Sequence, residues 1–433
     1  MTNWEDKKVV IFGSGRSGVA VARKLVPLKA LVAISEELPE EKLDPELLAE
    51  MRGLKVKLEL GGHTNSSIEG ADLIVLSPGV HLDIPVILKA RQKNIPIISE
   101  IELAYRFLSK PILAVTGTNG KTTTTTLIGE FLKAGAKSAV VAGNIGNPLV
   151  EVNDRDLDFV VAEISSYQLE TIVTFRPWIS LILNLTEDHI ERHGSMGEYA
   201  AAKARIFLNQ RKTDYLIYNA EDKLVSQLAG QAEARLVPFS KKDSFLDPAE
   251  ILIPGEHNLE NALAAAHAAL ICGVSREIIR SVLKVFPGVE HRIELVTEKR
   301  GVKFYNDSKG TNPDSTIVAL KSLSNGQKNI ILIAGGRDKG GDLTDMVHLI
   351  SDTVKKVILI GEAAQRFKAV LKSKQYLDLI LASDLTQAVN TSYSLARPGD
   401  AVLLSPACAS FDMFSNFEER GRIFKQLVAE LPE

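Results

Sequence analysis

The residues with the clearest chemical potential form the segment Thr116-Gly-Thr-Asn-Gly-Lys-Thr122, which follows a short apolar run. The run predicts a buried parallel strand, and we expect a helix to begin near Lys121. The two glycines let consecutive N–H groups point at one anion, and the helix N-terminus adds a favourable dipole. Lys121 can then reach terminal phosphates, and the Thr122 hydroxyl can ligate Mg²⁺. The general phosphate-loop pattern has an earlier glycine where this chain has Val115, so this is a compact variant of a nucleotide site.

A second glycine-rich turn lies near the N-terminus. Gly13, Gly15 and Gly18 have the spacing of the dinucleotide fingerprint, directly after the apolar run KKVVIF. Ser35 and Glu36 follow near the end of the next predicted strand, LVAIS. The pattern fits a nicotinamide or flavin cofactor, or a turn reused for the phosphates of another nucleotide.

Polar residues follow three further strands of the predicted central sheet, in Gly143-Asn144, Glu163 and the segment ending at His189. Ligands of open parallel sheets bind at the carboxyl edge, so one crevice could collect these groups with the phosphate loop. Glu163 and His189 could then be Mg²⁺ ligands alongside Thr122. The competing interpretations are a strand-end carboxylate that caps a helix and a solvated loop histidine.

Lys203 lies in the Ala-rich helical segment YAAAKARIF. Taken alone, it is interpreted as a surface lysine that extends its ammonium to water. The alternative is a buried, deprotonated lysine, which could take up CO₂ and, as an anionic carbamate, hold a second Mg²⁺. The sequence leaves both open.

A third group of polar residues lies on turns in the C-terminal part of the chain. Asp307, Lys309, Thr311 and Lys339 combine one acid with two cations at predicted strand ends. A carboxylate substrate or phosphate oxygens would suit this set, and loop salt bridges without a ligand are the alternative.

Composition narrows the class of protein. The 433 residues carry a formal charge of −3 with no basic run, which argues against a nucleic-acid partner. The two cysteines, Cys272 and Cys408, give no disulfide or metal framework, and the polar N-terminus and lack of a long apolar run predict no membrane span. We expect a cytoplasmic protein.

The order of strands and helices predicts an α/β protein of three domains, at 1–99, 100–288 and 289–433. Each domain is expected to alternate strands with helices, and the central one carries the phosphate loop at the end of a strand of a mainly parallel sheet. The predicted strands after the first are 31–35, 72–77, 95–99, 138–142, 159–164, 179–185, 215–219, 302–306, 329–334, 356–360, 377–382 and 401–405. A helix is expected from about residue 255, with Asn258 and Asn261 on one face.

These motifs together resemble the Mur ligases of peptidoglycan synthesis along the whole chain. TGTNGKTT, AGNIGNP, EISSYQLE, LNLTEDHIERH, YAAAKARIF, PGEHNLENALAA, HRIE, NDSKGTNP and SPACASFDMFSNFEERG occur in the family's order. EISSYQLE and SPACASFD are closer to the member that adds D-glutamate. Where relatives often place an acid after the second strand, this chain has Ser35 and then Glu36, which puts the uridine contact there in question.

The resemblance implies an N-terminal Rossmann-like domain for the UDP-linked substrate, a central phosphate-loop ATPase domain with a mainly parallel sheet and a C-terminal Rossmann-like domain. It also implies a site for each ligand. Its catalytic residues would be Lys121, His189 and a carbamylated Lys203, and two Mg²⁺ ions would be held by Thr122, Glu163, His189 and Lys203. ATP would be bound by Gly117, Thr118, Asn119, Gly120, Lys121, Thr122, Thr123, Asn261, Arg292 and Asp307. The UDP-sugar contacts match Arg16, Ser17, Gly79 and Asn144, and the D-glutamate contacts match Thr311, Lys339, Ser410 and Phe417.

The implied reaction joins D-glutamate to UDP-N-acetylmuramoyl-L-alanine. ATP would phosphorylate the L-alanyl carboxylate, and the D-glutamate amine would attack the acyl phosphate. His189 could also position the substrate or accept the amine's proton. The rival hypotheses are a nucleotide-linked oxidoreductase, a non-catalytic ATP switch, a sister ligase for L-alanine, L-lysine or a dipeptide, and, more distantly, folate polyglutamylation. We expect a monomer.

Overall fold

The computed structural model describes residues 3–242, 246–253, 255–324, 326–338, 340 and 342–432. The chain divides into two compact units, which are described separately below. One unit comprises Met1–Glu250 and His257–Leu283, and the other comprises Ile251–Glu256 and Lys284–Glu433. None of the described helices is both long enough and apolar enough to cross a membrane.

The first unit begins with a five-stranded parallel sheet in the order β3-β2-β1-β4-β5. Its strands have three to five residues, are mainly apolar except for β3, and mostly alternate with helices, which is the pattern of a doubly wound fold. The elements are β1 (Lys8–Phe12), α1 (Arg16–Leu25), β2 (Leu31–Ser35), α2 (Pro45–Gly53), β3 (Lys57–Glu59), β4 (Leu73–Leu76), α3 (Pro85–Gln92), β5 (Ile97–Ser99) and α4 (Glu100–Tyr105).

The same unit contains a second parallel sheet, of six strands, in the order β11-β10-β9-β6-β8-β7. Its strands are β6 (Ile112–Thr116), β7 (Ala139–Gly143), β8 (Phe159–Glu163), β9 (Ile179–Ile182), β10 (Tyr215–Asn219) and β11 (Arg235–Phe239). The helices are α5 (Lys121–Ala134), α6 (Ser166–Leu169), α7 (Ile190–His193), α8 (Met196–Ala204), α9 (Lys223–Ala229), α10 (Glu256–Ile271) and α11 (Arg276–Leu283). One apolar cluster extends from β1 and α1 into this sheet, so the two sheets share a core.

The second unit has a six-stranded sheet in the order β12-β13-β17-β14-β15-β16, with β12 antiparallel to β13 and the other pairs parallel. Its strands are β12 (Glu294–Lys299), β13 (Val302–Asn306), β14 (Ile330–Gly335), β15 (Val354–Ile360), β16 (Leu379–Leu381) and β17 (Ala401–Leu404). Its helices are α12 (Pro313–Leu323), α13 (Thr344–Thr353), α14 (Ala364–Ser373), α15 (Leu385–Leu395) and α16 (Phe417–Glu430). The first unit also contains short 3₁₀ helices at Val26–Leu28, Glu40–Lys42, Leu149–Glu151, Arg205–Phe207 and Pro248–Glu250.

The predicted α/β architecture is confirmed, including the helix that begins at Lys121. The strands at 31–35, 215–219 and 302–306 have the predicted bounds, and the other predicted strands differ by one to three residues at an end. Three strands, β3, β11 and β12, were missed. The domain boundaries at 99/100 and 288/289 stay a prediction.

The helix α4, which follows the first sheet, is fixed by two buried carboxylates. Glu102 accepts hydrogen bonds from the backbone N–H groups of Val173, Thr174 and Phe175 at 2.8–3.1 Å. Glu100 Oε1 accepts from Val150 N at 2.6 Å, while its Oε2 has no hydrogen-bond partner among the described residues. Burial raises the pKa of the Glu100 carboxyl to about 7, against the opposing effect of backbone N–H groups.

This buried acid predicts a pH-dependent stability. Because the pKa of Glu100 is higher in the folded than in the unfolded state, the contribution of Glu100 to the free energy of unfolding is greatest below pH 4.5. This contribution is lost as the pH rises to about 7. We expect Glu100→Gln to reduce this fall in the free energy of unfolding, by about 3 kcal/mol across the window. Urea unfolding of wild type and variant at a series of pH values measures the difference. The exposed Glu46→Gln is the control, and equal slopes in wild type and Glu100→Gln would contradict the prediction.

Candidate active site

The loop between β6 and α5 has the backbone of a phosphate cradle. Gly117 and Gly120 adopt φ values of +151° and +84°, which residues with a side chain rarely reach. A Cβ at Gly120 would lie 2.0 Å from Asn261 Oδ1, so this position also has no room for a side chain. The local sequence therefore dictates a sharp turn into the N-terminus of α5, where an anion is favoured.

The end of β9 holds this loop in place. Thr118 N donates to Asn184 O at 3.0 Å, and Asn119 N donates to Asn184 Oδ1 at 2.8 Å. The Thr118 hydroxyl lies 3.1 Å from Tyr199 Oη. Thr122 and Thr123 are buried in the first turn of α5.

Two lysines converge on one carbonyl of the loop. Lys121 Nζ donates to Gly117 O at 2.8 Å and to Thr118 O at 2.7 Å, and Lys203 Nζ donates to Gly117 O at 2.9 Å. This places two amine nitrogens at the mouth of the cradle, where the phosphates of a bound nucleotide would add negative charge. The sequence predicts this role for Lys121, whereas for Lys203 it leaves open a surface position or a buried amine that forms a carbamate.

The interpretation of Lys203 as a surface lysine is wrong. Its residue is 2% exposed, and its Nζ lies 4.6 Å from the centroid of the Tyr199 ring. Burial lowers the pKa of the Lys203 amine well below its usual range, and the nearby Lys121 ammonium lowers it further. Lys203 lies on the buried face of α8 together with Tyr199 and Ala200, one turn earlier in the helix.

Glu163 ends β8 with its carboxylate buried. Its Oε1 accepts from Asn144 Nδ2 at 2.8 Å, and its Oε2 has no hydrogen-bond partner within the part of the chain that is described. Gly143 allows this approach, since a Cβ there would lie 2.4 Å from Glu163 O. The structure thus brings together Asn144 and Glu163, although sequence analysis assigned Asn144 to the UDP-linked substrate.

His189 lies on a strained turn at the start of α7. Its φ is +55°, and its side chain is 43% exposed, with Nε2 3.4 Å from Asp188 Oδ2. The Tyr167 ring packs against it with a centroid distance of 5.0 Å. The competing interpretation of His189 as a solvated loop histidine agrees with this exposure, but the ring has a fixed aromatic neighbour. The role of His189 as a Mg²⁺ ligand stays a prediction.

The residues present fit Mg²⁺ in part. Among the described residues, no group of three or more His, Cys, Asp and Glu side chains is placed to hold a metal ion. The unsatisfied, buried Glu163 Oε2 is nevertheless an oxygen ligand of the kind Mg²⁺ prefers, and this ion commonly completes its shell with water and phosphate oxygens. A metal held mainly by the nucleotide fits this geometry.

Asn261 lies directly beneath the phosphate loop. It is buried on α10, where its Oδ1 accepts from Thr124 Oγ1 at 3.4 Å and its Nδ2 donates to Asn258 Oδ1 at 3.4 Å. The predicted common face of the two asparagines is therefore confirmed. The position under Gly120 gives Asn261 a role in the shape of the loop, besides its predicted contact with ATP.

The first sheet carries a separate cavity of about 750 Å³ at the carboxyl ends of its strands. Arg16, Ser17 and Gly79, which sequence analysis assigned to the UDP-linked substrate, all line it. His63, which sequence analysis missed, lines it too, with Nδ1 2.8 Å from Ser35 Oγ and the ring 5.0 Å from that of Phe12. The sequence around His63 gives no sign that it lines this cavity, because its contacts are with residues distant in sequence.

Glu36 has a structural partner at the edge of this cavity. Its Oε2 accepts from Ser14 N at 2.7 Å and from Ser14 Oγ at 2.8 Å, and its Oε1 accepts from Leu38 N at 3.0 Å. The two bonds from Ser14 connect the glycine-rich turn after β1 to the end of β2 and stabilise its conformation. A dinucleotide site would need this carboxylate for a ribose hydroxyl, so the geometry does not favour a nicotinamide cofactor.

In the second unit, Asp307 is buried at the end of β13. Its Oδ2 accepts from Ser405 Oγ at 2.6 Å and its Oδ1 accepts from Ile293 N at 3.2 Å. Burial raises the pKa of Asp307 to about 7, although Ser405 and the charge of Arg292 act in the opposite direction. Arg292 and Asp307, both assigned to ATP, are therefore near each other.

The residues assigned to D-glutamate are also in the second unit. Ser410 is buried, and its Oγ has no hydrogen-bond partner in the described part of the chain. Phe417 begins α16, and its carbonyl accepts from Ser308 Oγ at 2.8 Å. Thr311 lies on the turn before α12, where its N–H donates to Lys309 O at 2.9 Å. The predicted role of Lys339 falls on a residue outside the described ranges.

Arg420 organises this region and was missed by sequence analysis. It is fully buried, donating to Ser308 Oγ at 2.9 Å, Ser308 O at 2.8 Å and the Cys408 and Ala409 carbonyls at 3.2–3.3 Å. Burial lowers the pKa of its guanidinium to about 10. Its bonds join the turn after β13 to the segment after β17, so the motifs NDSKGTNP and SPACASFD are held together by this side chain.

Comparison with known proteins assigns the family. The family model described as Mur ligase MurD-like, N-terminal domain, matches residues 7–99; the Mur ligase middle domain matches 115–251; and the Mur ligase, glutamate ligase domain, matches 291–408. The chain belongs to the Mur ligase family. The predicted resemblance and three-domain α/β fold are thereby confirmed.

Individual members of the family are similar to this chain over almost its whole length. The chain is 47% identical to the UDP-N-acetylmuramoylalanine–D-glutamate ligase of Thermoanaerobacter sp. (strain X514), with 98% of each chain covered. It is 40% identical to the ligase of that name from Clostridioides difficile (strain 630), over 98% of this chain and 99% of the other. The solved structure of UDP-N-acetylmuramate-alanine ligase MurC from Thermotoga maritima has the same fold, with a TM-score of 0.60, 23% identity and 98% and 99% coverage.

Proposed function

We propose that this protein joins D-glutamate to UDP-N-acetylmuramoyl-L-alanine at the expense of ATP, forming an amide bond, ADP and phosphate in peptidoglycan precursor synthesis. Relatives that match almost the whole chain at 40–47% identity bear the name of this ligase. The glutamate ligase domain in the second unit supports the same acceptor. The observation on which the chemistry rests is the convergence of Lys121 and Lys203 at the phosphate loop. Glu163 adds a buried Oε2 that has no hydrogen-bond partner among the described residues.

The geometry suggests how the residues divide the reaction. The loop from Gly117 to Thr123 would bind the phosphates of ATP, and Lys121 would leave its carbonyl partners to neutralise charge that develops on the transferred phosphoryl group. An oxygen of the L-alanyl carboxylate attacks the γ-phosphorus and ADP leaves. The D-glutamate nitrogen then attacks the acyl carbon, loses a proton, and expels phosphate. Thr122, Glu163 and His189 would hold Mg²⁺, which supplies charge neutralisation on the phosphates.

Finer assignments belong to the same proposal. Two Mg²⁺ ions are bound, and Lys203 carries a carbamate that helps to hold one of them; its burial without a carboxylate hydrogen-bond partner among the described residues suits an amine that is neutral before it reacts with CO₂. His189 also positions the substrate or accepts the amine's proton. The protein acts as a cytoplasmic monomer.

The substrate contacts are part of the proposal as well. The UDP-linked substrate is contacted by Arg16, Ser17, Gly79 and Asn144, and D-glutamate is contacted by Thr311, Lys339, Ser410 and Phe417.

Release of phosphate from ATP tests this function. With Mg²⁺ and UDP-N-acetylmuramoyl-L-alanine present, we expect release with D-glutamate and not with L-glutamate, L-lysine or D-alanyl-D-alanine. Release with a different acceptor would keep the reaction class and make the protein a sister ligase. No release with any acceptor, from folded protein that still binds ATP, would favour the switch hypothesis.

A further inference from the structure

Arg192 connects two parts of the first unit that the proposed function uses separately. It lies on α7, three residues after His189, and its side chain is 8% exposed. Its backbone N–H donates to His189 O at 3.0 Å, so both belong to one turn. A buried guanidinium needs several acceptors, and the identity of those acceptors indicates what the residue does.

One acceptor lies in the wall of the 750 Å³ cavity. Arg192 Nη2 donates at 2.9 Å to the carbonyl of Val80, which lines that cavity next to Gly79. This bond joins the loop after β4, in the first sheet, to the turn that carries His189, beside the second sheet. It spans 112 residues of sequence and lies within one compact unit.

The remaining contacts fix the guanidinium itself. Glu170 accepts from Nη2 at 2.7 Å and from Nε at 3.3 Å, which is a bidentate pair with a defined plane. The guanidinium carbon lies 5.1 Å from the centroid of the Tyr167 ring, and that ring packs against His189 at 5.0 Å. Arg192 is thus held from three sides while it reaches the cavity wall.

We propose that Arg192 is a positioning residue that fixes the cavity wall at Val80 to the turn that carries His189. The UDP-linked substrate in the cavity is thereby held at a defined position relative to the phosphoryl-transfer site. The inference rests on the proposed function, because it assumes that the cavity takes this substrate. A lysine could preserve the charge but not the bidentate plane, whereas a methionine could preserve only the volume.

The test compares Arg192→Met with Arg176→Met. Arg176 also forms a bidentate pair, with Asp214 at 2.7 and 3.0 Å in the same unit, and its hydrogen-bond partners among the described residues, Asp214 and Thr213, are not assigned to the site. Binding of UDP-N-acetylmuramoyl-L-alanine is measured by isothermal titration calorimetry without ATP or Mg²⁺. Arg192→Met should bind this substrate about tenfold more weakly, which is the loss expected for a charge-assisted hydrogen bond. Arg176→Met should bind it as tightly as the wild type. In turnover, KM for this substrate should rise while KM for ATP stays constant, and Arg192→Lys should be intermediate.

Three outcomes would overturn the inference. The first is unchanged binding by Arg192→Met, or by Arg192→Lys if the methionine variant does not fold. The second is equal weakening in Arg176→Met, which would mean general destabilisation. The third is a wild-type protein that does not bind the UDP-linked substrate, and this result alone would also remove the proposed function.

Discussion

Replacing Lys121 by alanine is expected to lower kcat by about 10³-fold. Its ammonium lies at the loop predicted to bind the phosphates, and removing one such preorganised interaction costs about two to three orders of magnitude. The fold should survive, because Lys203 still donates to Gly117 O. Steady-state phosphate release at saturating substrates measures the effect.

Lys133→Ala is the matched control for this prediction. Lys133 is exposed in the last turn of the same helix, α5, so its removal changes helix charge without changing the loop. We expect kcat within about twofold of wild type, in line with a surface substitution. A kcat for Lys121→Ala within tenfold of wild type would contradict the assigned role.

Replacing Lys203 by methionine is expected to lower kcat by at least about 10²-fold, since methionine preserves the volume of the stem and removes the nitrogen. If Lys203 carries a carbamate, wild-type protein in ¹³C-bicarbonate should show a carbamate carbon by NMR, and Lys203→Met should lack it. The exposed Lys212→Met is the control for both measurements.

The two readouts separate the parts of this prediction. Loss of activity without a carbamate signal in the wild type would mean that Lys203 acts as an amine. Full activity of Lys203→Met would remove the residue from the site altogether.

The conformation of the glycine-rich loop between β6 and α5 was predictable because its signal is local. A buried strand, two glycines and Gly-Lys-Thr specify the loop without help from the rest of the chain, and the observed φ values at Gly117 and Gly120 agree. Polar groups after parallel strands were predictable for a similar reason, since every such strand ends at the same edge. The pairing of Asn144 with Glu163 follows from that rule.

The burial of Lys203 was not predictable from its surroundings in sequence. Its hydrogen-bond partner, Gly117 O, lies 86 residues away, and an Ala-rich helix gives no sign of which face is covered. The same applies to Arg192, which donates to Val80 O, and to Arg420, which donates to Ser308 O, since each of these carbonyls lies 112 residues away. A sequence pattern does not reveal which carbonyls need a donor.

The missed strands have local causes. The strand β11 contains Pro238, which interrupts a ladder but is tolerated because β11 lies at the edge of the sheet. The strand β12 is a polar, partly exposed segment whose structure depends on antiparallel pairing with β13. The strand β3 has three residues and lies at the edge of the first sheet.

The most direct measurement follows one oxygen atom. UDP-N-acetylmuramoyl-L-alanine labelled with ¹⁸O in its carboxylate is incubated with ATP, Mg²⁺ and D-glutamate, and the released phosphate is analysed by mass spectrometry. If the carboxylate attacks the γ-phosphorus and the amine then expels phosphate, each phosphate carries one ¹⁸O atom. Unlabelled phosphate accompanied by amide product would contradict the acyl-phosphate account, and release of pyrophosphate with AMP would show that the carboxylate is activated by adenylylation instead.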